Sequence, residues 1–89
     1  MKGIITVIGK DRVGIIAKVC TYLSDESINV LDISQTIVQG YFNMMAIVDM
    51  AGAKHDFNEI SEKLIELGVS IGVDIKLQHE DIFNSMHRI

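Results

Sequence analysis

The chain contains no proline, no tryptophan and a single cysteine in 89 residues. One thiol cannot close an internal disulfide, so packing alone must hold the fold, and Cys20 fits a reducing compartment. Basic residues are also few. The eight lysines and arginines leave a net charge of -4 and are scattered from Lys2 to Arg88, so the basic stripe that direct nucleic-acid binding needs is missing. No apolar run is long enough to span a membrane, and Met1-Lys2 leads straight into a strand with no secretory signal pattern. The expected location is therefore cytoplasmic. His55, His79 and His87 lack metal-ligand spacing, so they are expected at the surface, and no metal or cofactor site is expected. No nucleophile, base and orienting group assemble from motifs, which argues against an enzyme. Asp25-Glu26 and the glutamates 59, 62 and 66 have the look of solvated helix surface.

What is present is apolar: 48% of the residues, enough for one compact domain over 1–89 rather than a disordered chain. A strand is expected from Lys2 to Ile8, closed by Gly9, and a helix from Val13 to Glu26, where Ile16, Val19, Cys20 and Leu23 recur at helical spacing. Cys20 thus reads as a packing residue. The β-branched run from Ile28 to Gln39, Gly40 and the run from Tyr41 to Met50 form an expected antiparallel hairpin. Asp56 and Glu59 resemble a capping box that opens a second helix, which Gly68 is expected to end. Val73, Ile75 and Leu77 alternate with polar residues in a last strand up to Gln78. The order is βαββαβ, the α+β ferredoxin-like sandwich, with two helices on one face of a four-stranded antiparallel sheet.

Residues 79–89 then read as a short helical tail, whose apolar face of Ile82, Phe83 and Met86 must dock on the chain's own sheet or on a neighbouring copy. Strand three is apolar on both faces. Phe42, Met44, Ala46, Val48 and Met50 fill one, while Tyr41, Met45 and Ile47 make the other largely apolar too, which predicts a homodimer. Asp32 and Ser34 are expected on the same side of strand two as Val30, as candidate ligand or subunit contacts.

The turn Gly9-Lys10-Asp11-Arg12-Val13-Gly14-Ile15-Ile16 joins the first strand to the first helix. Such a corner aims free backbone N–H groups outward at the positive end of a helix, which suits a carboxylate or phosphate. Its G-x-x-x-x-G spacing matches the start of a phosphate loop, but Ile15-Ile16 stand where that loop needs lysine and a hydroxyl, which disfavours nucleotides. A smaller anion such as an amino-acid carboxylate fits, with Asp11 or a strand carbonyl available for the ammonium group. The alternative is structural: Asp11 caps the helix and Gly14 allows close packing.

The run from Val7 to Ala17, followed by Ile28-Asn29-Val30, resembles the start of an ACT domain, and the resemblance extends from about Met1 to Gln78. The whole chain resembles the small single-ACT proteins of bacteria and archaea, which are similar to the ACT modules of glycine-cleavage regulators. That resemblance implies a homodimeric sensor that binds a small amino acid, glycine or serine by analogy, and acts through a regulatory protein partner. Carried over by position, Asp11, Val13, Gly14, Ile15 and Ile16 would line the turn side of the site, and Asn29, Val30 and Leu31 of a second copy the adjoining strand. Val13 stands where many members carry proline, a less rigid turn. The alternative function is a ligand-free protein interaction module.

Overall fold

A computed structural model describes residues 1–81 and has the expected element order. Strands β1 (Lys2–Lys10), β2 (Asn29–Val38), β3 (Tyr41–Asp49) and β4 (Val73–His79) form one sheet in the order β2-β3-β1-β4, every pair antiparallel. Helices α1 (Ile15–Asp25) and α2 (Phe57–Ile71) cover one face. Ile5, Val7, Met44, Val48 and Ile75 from the strands meet Val19 and Leu23 of α1 and Ile60 and Leu64 of α2 in a single core. The spacing of the helical residues explains this: positions four apart share a side of a helix, and alternate residues share a side of a strand. No helix among the described residues is long and apolar enough to cross a membrane.

Three boundaries differ from expectation by two residues or more, each for a physical reason. β1 runs on to Lys10, because Gly9 stays in the ladder opposite both Phe42 and Val73. α1 starts at Ile15 rather than Val13, because Gly14 takes the left-handed conformation at φ 91°. α2 passes through Gly68 and ends at Gly72, whose φ of 78° places the left-handed stop there. Gly68 is instead a close-packing position. A Cβ built on it would lie 2.6 Å from the carbonyl oxygen of Val73, so the helix can rest on β4 only where a side chain is missing. The capping expectation for α2 holds on its main point: the Asp56 side chain accepts from the Glu59 N–H at 2.8 Å. His79, expected to open the tail, belongs to β4, and Ile82, Phe83 and Met86 lie outside the described residues.

β2 departs furthest from its sequence pattern. Val30 pairs with Val48 and Asp32 with Ile47, so Leu31 is an extra, bulged residue. One added residue inverts the faces. Asp32 and Ser34 therefore lie opposite Ile47 and Met45 on the sheet's open side, not on the side of Val30, and Ile33, Gln35 and Ile37 turn towards the helices. Little covers them there: Ile33 is 43% and Ile37 60% exposed. β2 is also an edge of the sheet, ten residues long, with Asp32 its one charged residue.

At the lower end of the sheet, where α1 hands over to β2, Glu26 is not the solvated residue its sequence context suggests. It is 9% exposed, and both its carboxylate oxygens face His55 Nδ1, at 2.8 and 3.0 Å. The pair ties the end of α1 to the loop before α2. Hydrogen bonding to Glu26 and the charge of Glu26 raise the His55 pKa above its usual 6.5, with Glu59 adding to the rise while desolvation and Lys63 oppose it. A pKa raised on folding stabilises the protein below the unfolded value, and that gain is lost as pH rises through the folded value. The unfolding midpoint of the native chain should therefore exceed that of His55→Gln by more at about pH 5.5 than at about pH 8.5. Equal differences at both pH values would show that the pair is not charge-linked. His79, also expected at the surface, is half-buried with its ring 5.1 Å from that of Phe57.

Candidate functional site

The upper end of the sheet carries three turns: 11–14 between β1 and α1, the β2–β3 hairpin, and Gly72 before β4. The hairpin closes through Gln39 and Gly40 at φ 51° and 81°, the two-residue geometry that matches strand twist. It is fixed to the first turn by a bond from the Asp11 N–H to the Gly40 carbonyl at 2.9 Å. Beside this junction lies a cleft of about 460 Å³, between the first turn of α1 and the upper half of β2. Its volume falls in the range of small-molecule sites.

The inverted faces of β2 build one wall of this cleft. Gln35 and Ile37 look towards the helix side, Phe42 lies opposite Ile37 in the ladder and is buried, and Gly14, Ile15, Ile16 and Ala17 form the facing wall. Asp11 borders its mouth, whereas the Arg12 guanidinium lies over Gly72 before β4, where an added Cβ would come within 3.2 Å of Arg12 Cζ. Asp11 does not cap α1. The N-cap is Gly14, no side chain caps the helix, and the first helical bond runs from the Lys18 N–H to the Gly14 carbonyl. The N–H groups of Ile15, Ile16 and Ala17, which precede that bond, thus face the cleft end of the helix without a side-chain partner.

Of the residues singled out in the sequence, Asp11, Gly14, Ile15 and Ile16 come together at the cleft. Val13 is fully exposed and borders a separate hollow of about 190 Å³ with Arg12, Lys18 and Ser70. Asn29, Val30 and Leu31 open β2 at the lower end of the sheet, about 30 Å of extended chain from its upper end. They do not border the cleft of their own chain. Gln35, Ile37 and Phe42 were missed as site residues. The bulge at Leu31 hid the first two, since simple alternation counted from Val30 puts them on the wrong face. Among the described residues no cluster of three or more histidines, cysteines or acids is placed to hold a metal ion.

The sequence model of the ACT domain matches residues 3–78, nearly the whole described chain. The chain belongs to the ACT domain family. ACT domains are typically small-molecule regulatory modules. The UPF0237 protein of Bifidobacterium longum is 62% identical over 88 residues, covering 99% of this chain and 98% of that one. Among solved structures, an ACT domain protein from Streptococcus pneumoniae superposes with a TM-score of 0.83 at 41% identity, covering 93% of each chain. The regulatory subunit of aspartate kinase from Thermus thermophilus matches with a TM-score of 0.67 at 29% identity, over 89% of this chain and 51% of that one. The ACT fold thus occurs both as a protein of this size and as part of a larger regulatory subunit.

Proposed function

We propose that this ACT domain is a homodimeric sensor that binds a small amino acid in the cleft beside Asp11 and Gly14 and passes the signal to a partner protein. The observation that carries the reading is the cleft itself, a cavity of ligand size that opens beside a sheet edge with no strand partner among the described residues. In the antiparallel pairing of two β2 edges about a twofold axis, the start of one strand lies beside the end of the other. Asn29, Val30 and Leu31 of a second copy would then stand beside Val38, Ile37 and Thr36, the last two of which border the cleft, and supply the half of the site that the single chain keeps at its far end. The edge is suited to such pairing because it is long, carries little charge and exposes Ile33 and Ile37.

Two measurements test the reading. A panel of amino acids should raise the thermal midpoint, since a ligand at a hundred times its dissociation constant adds about 2.7 kcal/mol of stability. Light scattering at high micromolar concentration should give twice the chain mass. The double substitution Ile33→Lys and Ser34→Lys, which the twofold repeats across the interface, should give monomers while changing monomer stability by about 0.5 kcal/mol or less. A native chain that remains monomeric would remove the second copy from the site. A second reading, a ligand-free docking module, rests on the open sheet face, where Ile8, Val38, Tyr41 and Met45 are exposed. It requires a stable partner whose binding ignores added amino acids.

A further inference from the structure

We infer that the cleft selects an amino acid with a branched aliphatic or aromatic side chain over glycine or serine, an inference that rests on the proposed ligand role of the cleft. The two ends of the cavity differ in chemistry. At one end the uncapped N–H groups of Ile15, Ile16 and Ala17 suit the carboxylate of a free amino acid, and Asp11, which borders the cleft, suits its ammonium group. Away from the mouth the wall is apolar: Ile16 on α1, Ile37 on β2 and the buried ring of Phe42 between β1 and β2. Ile37 is 60% exposed, so a bound side chain would take apolar surface out of water on the protein as well as on itself.

Glycine reaches none of that wall, and serine would set a hydroxyl against it. Gln35 is the uncharged polar side chain that β2 turns towards the cleft, exposed on an edge strand, while Thr36 pairs with Asn43 and turns to the open face of the sheet. The volume agrees, because about 460 Å³ exceeds what the backbone atoms of an amino acid fill by enough for a large side chain.

Calorimetric titration of the whole chain with L-leucine, L-phenylalanine, glycine and L-serine tests this. Leucine or phenylalanine should bind about tenfold or more tightly than glycine and serine, the effect expected from burying several methylene equivalents. Ile37→Ser, with circular dichroism showing the fold intact and light scattering showing the same mass as the native chain, should weaken leucine several-fold and leave glycine unaffected. Glycine or serine binding as tightly as leucine overturns the side-chain class but leaves the ligand role standing. Equal loss of leucine and glycine binding in Ile37→Ser also overturns it, since the side chain would then not be what Ile37 reads. If none of the four binds to the folded chain, the ligand role itself falls, and the class falls with it.

Discussion

Gly68→Val is expected to lower the unfolding free energy by about 1–3 kcal/mol, a large share of the roughly 4–13 kcal/mol that holds a domain of this length. Local preference pushes the other way, because glycine inside a helix is about 1 kcal/mol worse than alanine and valine lies between them. Packing decides the sign. A Cβ at position 68 meets the Val73 carbonyl oxygen at 2.6 Å, Ile75 Cγ1 at 3.1 Å and the Ile75 backbone nitrogen at 3.3 Å. Two of these atoms are backbone of the strand that pairs with β1, so relief requires α2 to move off the sheet, and with it the contacts of Ile60 and Leu64. Urea unfolding of the variant beside Val69→Ala, one residue on and exposed, reads the difference; the control should change stability by about 0.5 kcal/mol or less. An unchanged midpoint for Gly68→Val would mean that α2 and β4 are not in close contact there.

The same glycine shows where sequence reasoning reached its limit. Two glycines end the α2 region, and spacing alone assigns the stop to the first, because Phe57, Ile60, Leu64 and Leu67 repeat just up to it. Only the proximity of β4, set by pairing with a strand more than sixty residues earlier, turns Gly68 into a packing position and leaves the stop to Gly72. Element order and the sandwich were legible because they rest on local periodicity, which the core residues Val19, Leu23, Ile60 and Leu64 obey. The site was legible in half. The turn from Asp11 to Ile16 carries its signal in consecutive residues, whereas the opposite wall depends on a bulge that no local pattern announces. Glu26 was hidden for a third reason: a residue at the end of an acidic stretch looks solvated until a loop from far along the chain brings His55 to it.

Phe42→Ala is expected to cost about 3–5 kcal/mol, and its partition between fold and cleft can be measured. Phe42 is 4% exposed, faces Gly9 on one side of its strand and Ile37 on the other, and belongs both to the core and to the cleft wall. Truncating a residue enclosed on all sides, such as Leu64, leaves a dry cavity, for which a leucine-to-alanine change costs about 2–5 kcal/mol. The space left at position 42 would instead join the cleft and admit water, which places Phe42→Ala near the lower end of its range although its ring is the larger group removed. Phe42→Leu keeps most of the volume and should cost less than about 1.5 kcal/mol, so it separates the two roles of the ring. With the fold preserved, any loss of stabilisation by a saturating amino acid in Phe42→Leu belongs to the cleft. A cost for Phe42→Ala no larger than that for Ile37→Ala at the exposed edge would show that the ring supports neither the core nor the wall, since the same ladder position can be inexpensive to truncate only where little is buried.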